Sequence, residues 1–439
     1  YSDSVPMLVM SSCLDETAAR RGQLHQMKDQ EGAARTVCDW SETARTAEAA
    51  YGLINRAFTE FAQARPRPKH VQVPISLLET RVPCGIPALG DGRTQPDPCL
   101  VRKAASMLKQ AQKPLFILGG GARPAWAQAR QLLKRSGAAS FTTYAARGIP
   151  SAEDRLAFGS YLARPESADI LAQADCVLAI GTELAEVDLW RRHPGHMAPL
   201  IRVDIDPAVL ADPWVPADLG ILSDATAFLE ALASHCPSTR ESAWDPAEVA
   251  DARARWRCAS DAEHFEIGTV CDVLRDVLPE EALIFSDMTQ IAYTAKEIWD
   301  MRYPNRWHHP YGFGTLGYAL PAAIGGKVGC PERPVIALAG DYGFQYTLQE
   351  LGTAAELGLT LPLVLWDNGA LKEIENSMRQ AQIAPNAVTI RNPDFGRLAE
   401  AYGADFAAPR TLPELREALS AALRTGGPTL IRVAADISG

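Results

Sequence analysis

The sequence predicts an α/β protein made of three doubly wound parallel-sheet domains. Three observations carry that expectation. Short, continuous apolar runs recur along the chain, ending in Gly, Asp or Asn before helix-like stretches. Two breaks rich in Pro, Gly and polar residues separate these runs into groups. And 439 residues are too many for one hydrophobic core, so two or three domains are expected.

From the N-terminus, the first group holds the runs 5–10 and 71–75. The second holds 115–118 before Gly119-Gly120-Gly121, 176–180 before Gly181, and 201–203 before Asp204. The third holds 282–285, 335–339, 363–365 and 430–433. Apolar on both sides rather than alternating, these runs read as strands of parallel sheets covered on both faces. The breaks lie at 81–98 and 236–246. The units are therefore placed at 1–80, 97–235 and 265–439, with a charged helix over 247–266.

Composition narrows the function classes. Hydrophobic residues at 47% and charged residues at 22% describe an ordinary globular protein. A net charge of −10 excludes a general nucleic-acid binder, which needs a basic footprint. No apolar run approaches the ~20 residues of a membrane span. The nine cysteines are scattered without a Cys-x-x-Cys pair, which argues against structural zinc and for reduced thiols in the cytoplasm. Tyr1 is not an initiator Met, so sequence upstream of it is expected.

Residues 335–374 carry the most chemistry. A strand ends at Gly340 and delivers Asp341 at its carboxyl end, where open α/β sheets bind ligands. Tyr342-Gly343-Phe344 opens a helix with apolar positions Leu348, Leu351 and Ala355. A second strand delivers Asp367-Asn368, so Asp341 and Asn368 lie 27 positions apart, one strand–helix–strand excursion. A carboxylate and an amide oxygen suit Mg²⁺, which takes oxygen ligands and keeps phosphates and water in its shell. The N–H groups of Gly343 and Phe344 stand where they can hold those phosphates. Either residue alone reads as a cap or turn residue; the pair at this spacing favours a metal–diphosphate site. The other phosphate motif is absent, since Gly326-Lys327 is followed by Val328. The Gly119–Gly121 run lacks full dinucleotide-binding spacing and reads as a tight strand–helix turn.

The Gly340-Asp341…Asn368 pattern resembles the diphosphate-binding signature of thiamine-diphosphate enzymes. Tyr342 stands where that family often has Gly, and Asp367 where it has a first Asn. The resemblance implies Asp341, Asn368 and the Ala370 carbonyl as metal ligands. Residues 314–323, GTLGYALPAA, resemble the segment that cradles the cofactor's centre in the acetolactate-synthase-like branch. Leu316 matches the bulky residue that bends the cofactor so that its own amino group can take a proton from C2. The Gly314 carbonyl would accept from the aminopyrimidine. Ser286-Asp287-Met288-Thr289-Gln290 resembles a phosphate-side loop, with Thr289 and Gln290 as contacts.

Residues 1–12 resemble the middle of the family's pyrimidine-binding domain, so 1–80 is expected to be an incomplete domain. The family's activating glutamate has no match here and is expected upstream of Tyr1. Leu24-His25-Gln26 with Asp29-Gln30, then Pro66-Arg67-Pro68 and Val71-Gln72-Val73-Pro74, are most similar to decarboxylases of 5-guanidino-2-oxopentanoate, which yield 4-guanidinobutanal and CO₂. By that resemblance His25 and Gln26 face the substrate. His309 and Trp307 line the same pocket. So do Ile374, Ser377 and Met378, on one face of a helix after Asn368. Ile374 stands where pyruvate-type decarboxylases carry a glutamate, and Glu373 and Glu375 flank it as solvated charges or guanidinium partners. Two other functions remain open: a carboligase of acetolactate-synthase type and a non-catalytic cofactor-binding subunit. FAD is not expected, since no flavin fingerprint is present. A homodimer or homotetramer is expected, because the family builds its sites between subunits.

Overall fold

The computed structural model describes residues 1–15, 22–82, 85, 92–236 and 239–438. Cys84 and positions 83 and 86–91 of the first break, and positions 237–238 of the second, lie outside the described residues.

Three parallel sheets succeed one another along the chain. The first contains β1 (Leu8–Cys13), β2 (Trp40–Thr43) and β3 (Lys69–Pro74) in the order β1-β3-β2. The second contains β4 (Pro114–Leu118), β5 (Ala139–Thr142), β6 (Ala157–Gly159), β7 (Cys176–Ile180), β8 (Leu200–Asp204) and β9 (Leu219–Leu222), ordered β6-β5-β4-β7-β8-β9. The third contains β10 (Leu283–Ser286), β11 (Trp307–His308), β12 (Val335–Gly340), β13 (Leu361–Asp367), β14 (Asp405–Ala407) and β15 (Pro428–Ala434). Its order is β11-β10-β12-β13-β15-β14. The α/β class with parallel sheets is as the apolar runs predicted. Six strands escaped the sequence: β2, β5, β6, β9, β11 and β14.

Each six-stranded sheet has a core on both faces, and strand alternation sorts side chains between them. On β12 and β13, Ile336, Leu338, Val364 and Trp366 pack against one set of helices, including Phe265–Val277 and Leu412–Ala422. Val335, Ala337, Leu361, Leu363 and Leu365 face the opposite core with helices Ala319–Gly329 and Glu350–Glu356. The first sheet has only a small core around Trp40, Ala44, Ala57, Val71 and Val73.

Partly buried ionic contacts tie the second unit to the third. Arg164 bridges Glu297 at 2.6 Å and Glu263 at 2.7 Å. Gly148, at φ +85°, lets the chain pass the Tyr303 backbone, where a Cβ would come within 2.4 Å. The charged helix expected at 247–266 spans Pro246–Glu263, started by Asp245 accepting from the Ala247 N–H. The Gly119–Gly121 run is a close-packing device: a Cβ on Gly119 would lie 2.1 Å from the Gly181 carbonyl oxygen.

Candidate functional site

Gly340 pairs with Trp366 in the β12–β13 register, so Asp341 and Asp367-Asn368 leave adjacent parallel strands at one edge. The helix expected after Asp341 is two helices, Asp341–Gln345 and Glu350–Glu356. Gly340 is the residue preceding the first of them, and Asp341 makes no cap; instead its carboxylate reaches across to the next strand. Oδ2 accepts from the Gly369 N–H at 2.8 Å and from Asn392 Nδ2 at 2.7 Å; Oδ1 accepts from the Tyr342 N–H at 2.9 Å. Gly369 at φ +63° allows the turn that aims its N–H back at Asp341.

Asp341 is buried, and burial pushes its carboxyl above the usual range against the Asn392 and Gly369 hydrogen bonds. Asp367 is buried beside it, and Asn392 donates to that carboxylate too, at 2.8 Å. Arg432 pairs with Asp367 from the next strand. One of the two acids thus has its counter-charge, and the other, Asp341, makes no ion pair among the described residues. A buried carboxylate without a partner is costly when charged. A divalent cation at Asp341 would remove that cost.

The other oxygens suit the same ion. Among the described residues, Asn368 Oδ1 accepts only the Ala370 N–H, at 3.1 Å. Gly369–Leu371 is strapped to 388–390 by Leu371 N–H to Val388 O at 2.7 Å and Ile390 N–H to Gly369 O at 3.0 Å. Neither bond uses the Ala370 carbonyl. Carboxylate, amide and carbonyl oxygens form a hard donor set fit for Mg²⁺. Among the described residues no cluster of three or more His, Cys, Asp or Glu fits a metal. That agrees with a site in which only one of the protein ligands is a carboxylate.

Thr289 and Gln290 follow the neighbouring β10, at the start of helix Gln290–Ile298. Thr289 is buried, and its Oγ1 would lie 3.2 Å from a Cβ on Gly340. Gln290 Oε1 accepts from Asn368 Nδ2 at 2.9 Å, and its Nε2 donates to Glu373 at 2.6 Å. Asp287, which the sequence reading passed over as a site residue, organises the loop ahead of helix Ala319–Gly329. Its buried carboxylate accepts from Gly317 at 3.0 Å, Tyr318 at 2.7 Å and Ala319 at 3.3 Å. A Cβ on Gly343 would come 2.6 Å from Asp287 Oδ2 and 3.5 Å from Leu316 Cδ2. Leu316 therefore sits beside the start of the Asp341 helix. Gly314 adopts φ +68° and is exposed on the same loop.

The remaining expected residues fall in two other places. His309 and Trp307 are buried, and Ser286 Oγ joins them, at 2.9 Å from His309 Nδ1 and 2.8 Å from Trp307 Nε1. Trp307 packs in the core against Trp299 instead of lining a cleft. Burial, with Lys296 and Arg147 nearby, lowers His309 to about 3, so it is a neutral imidazole at physiological pH. Ile374, Ser377 and Met378 lie on helix Lys372–Gln380, which buries no residue. His25 and Gln26 line an open cavity of ≈ 640 Å³ at the carboxyl ends of the first sheet. Its walls come from residues 13–80, and it contains none of the Asp341 site. His25 holds φ +67°, a conformation that costs a non-glycine residue on the order of 1 kcal/mol.

Comparison with known proteins matches this geometry. The model of the thiamine pyrophosphate enzyme C-terminal TPP-binding domain matches residues 287–433, and that of the central domain of such enzymes matches 101–232. A probable 2-ketoarginine decarboxylase, AruI, of Pseudomonas aeruginosa is 39% identical over 99% of this chain and 78% of that protein. The acetolactate synthase large subunit of Parasynechococcus marenigrum is 28% identical over 98% of this chain and 72% of that protein. The crystal structure of benzoylformate decarboxylase from Polynucleobacter necessarius superposes with a TM-score of 0.81 at 21% identity, covering 99% and 82% of the two chains. At that identity the likeness speaks for the fold.

Proposed function

The chain belongs to the thiamine pyrophosphate enzymes, within the acetolactate-synthase-like family, and from that premise we propose that it is a Mg²⁺-dependent decarboxylase of 5-guanidino-2-oxopentanoate. The C1–C2 bond breaks, CO₂ leaves and a proton takes its place, giving 4-guanidinobutanal. The observation that carries the cofactor site is the buried, uncompensated Asp341 converging with Asn368 across the Gly340–Trp366 register. The substrate rests on the likeness to the probable 2-ketoarginine decarboxylase, 2-ketoarginine being 5-guanidino-2-oxopentanoate.

Thiamine diphosphate, when bound, supplies the electron sink for decarboxylation. The chain's own residues hold and shape it. Asp341, Asn368 and the Ala370 carbonyl take the cation. Thr289 and Gln290 take the diphosphate end, with the absent side chains of Gly340 and Gly343 leaving room. Leu316 supports the cofactor's middle, and the Gly314 carbonyl accepts from its aminopyrimidine. Tyr342 lies in this turn as a departure from the family that adds no metal ligand.

The first-sheet cavity with His25 and Gln26 completes the site from a second copy of the chain in this reading, which makes the enzyme a homodimer or homotetramer. Exposed apolar residues on both surfaces support it: Val9, Met10, Ile75 and Leu78 on the first unit, and Phe313, Tyr346, Ile374 and Ile383 around the third-sheet site. Eight free cysteines among the described residues support a reducing, cytoplasmic setting. No helix among the described residues is long and apolar enough to cross a membrane.

Full-length protein with thiamine diphosphate and Mg²⁺ is expected to release CO₂ from 5-guanidino-2-oxopentanoate with no second carbonyl substrate. Turnover of pyruvate alone, to acetolactate, would replace this reading with a carboligase.

A further inference from the structure

We propose that Glu373 determines substrate specificity by accepting the guanidinium of the substrate on its free carboxylate oxygen, while Gln290 anchors the other. This deepens the guanidino-substrate reading and rests on it.

Helix Lys372–Gln380 carries two acids in its first turn, Glu373 and Glu375, and the sequence gives no reason to prefer either. The structure separates them. Glu375 is fully engaged: Arg379 donates to Oε1 at 2.6 and 3.0 Å, and Lys372 Nζ reaches Oε2 at 3.0 Å. Those two cations hold its carboxyl below the usual range. Glu373 makes no ion pair among the described residues. Its one hydrogen bond is Gln290 Nε2 to Oε1 at 2.6 Å, and Oε2 has no partner among the described residues. Lys296 is close enough to feel the Glu373 charge, but its ammonium lies 4.2 Å over the Tyr144 ring and 5.3 Å from that of Tyr293.

Gln290 makes this a fixed position rather than a solvated helix charge. Its Oε1 accepts from Asn368 Nδ2 at 2.9 Å. The chain Asn368–Gln290–Glu373 therefore sets the free oxygen two hydrogen bonds from a residue assigned to the cation. Among the described residues the Glu373 carboxylate has no ion-pair partner, and a cationic substrate brings one. Guanidinium suits it as well, since its N–H donors make short charge-assisted hydrogen bonds to a carboxylate oxygen. Three methylenes separate the guanidinium from the 2-oxo carbon, so recognition at Glu373 leaves the reacting end free to lie over the cofactor.

The test compares 5-guanidino-2-oxopentanoate with 2-oxohexanoate, an uncharged 2-oxo acid, in full-length enzyme loaded with thiamine diphosphate and Mg²⁺. The E373Q variant is expected to lower the guanidino-to-neutral ratio of kcat/KM roughly 10- to 100-fold, mostly through KM on the guanidino substrate. E375Q should leave the ratio at the wild-type value. Cofactor affinity of E373Q, measured separately, should match wild type. An unchanged ratio, or a loss of cofactor affinity that explains the whole effect, overturns the assignment of Glu373. A wild-type enzyme that turns over 2-oxohexanoate but not the guanidino acid overturns the substrate reading, and this inference with it.

Discussion

In the third sheet, β12 and β13 are sealed on both faces, and Asp341 and Asp367 at their ends accept named hydrogen bonds. In the first sheet, β1 leaves Val9 and Met10 at 39% and 54% exposure, and the cavity beyond its strands opens outward. Both sheets place polar side chains at the carboxyl ends of parallel strands, as open α/β sheets do for ligands. The difference is in what surrounds those ends. Around Asp341, hydrogen bonds from Gly369, Asn392 and Tyr342 fix the carboxylate before any ligand arrives. Around His25 and Gln26, one backbone N–H, from Gln23, meets the Gln26 side chain at 3.1 Å, and the His25 ring meets none among the described residues. The Asp341 side chains are fixed by hydrogen bonds within a single chain; those of the first-sheet cavity are held by far fewer. In the proposed reading, the diphosphate end is the preorganised half of the site.

Four substitutions or conditions would break or sharpen the contrast. Leu316→Ala should have the largest effect. The diphosphate end stays intact, so cofactor is retained, but turnover should fall about 100-fold, the scale of a misplaced reacting group. Single-turnover kinetics on cofactor-saturated enzyme reads this directly. Loss of binding with normal turnover would remove Leu316 from the cofactor's middle.

Gly343→Ala comes next. The new methyl meets Asp287 Oδ2, an oxygen tethered by the Gly317 N–H and therefore slow to yield. Destabilisation of about 1–3 kcal/mol in urea unfolding is expected, together with weaker cofactor binding.

Arg432→Met should cost about 1–3 kcal/mol, because Asp367 is left beside Asp341 with Asn392 as its remaining partner. Adding Asp367→Asn, the residue the family usually has there, should recover most of the loss in a double-mutant cycle. Simple additivity of the two losses would show that Arg432 acts elsewhere.

The smallest effect is a pH slope. His309 and His308 are lowered by burial to about 3 and about 4, below the 6.5 of a free imidazole. Between those values the unfolded chain binds more protons, so stability is complete above pH 6.5 and is lost as pH falls. Each histidine steepens that loss by up to about 1.4 kcal/mol per pH unit. His309→Gln should flatten the fall in urea midpoint between pH 6.5 and 4.5; an unchanged slope would place the titration in other groups.

The legible parts of the sequence were those with a local pattern. β7, at Cys176–Ile180, is a bare apolar run and was readable to the residue. β12 and β13 were readable because they are long and end at Gly340-Asp341 and Asp367-Asn368. β11 has two residues, Trp307–His308, and β14 three, Asp405–Ala407, too few for any periodicity. β1 was placed about three residues early, since the Val5-Pro6-Met7 stretch is as apolar as Leu8–Cys13 but lies before the paired segment. Asn392 and Arg432 were invisible as site residues because their partners are 51 and 65 residues away, a pairing that no local pattern encodes. Asp287 had a signal: it follows an apolar strand as Asp341 does, and the same strand-end argument would have found it.

The central claim is that Asp341 and Asn368 hold the cation that fixes thiamine diphosphate. Titrating thiamine diphosphate into full-length protein, with and without Mg²⁺, for wild type and Asp341→Ala, tests it most directly. Wild type should bind only with the metal, and Asp341→Ala should lose at least about 100-fold in affinity, as removal of a charged ligand implies. Equal affinity for the two proteins, or binding indifferent to Mg²⁺, would contradict it.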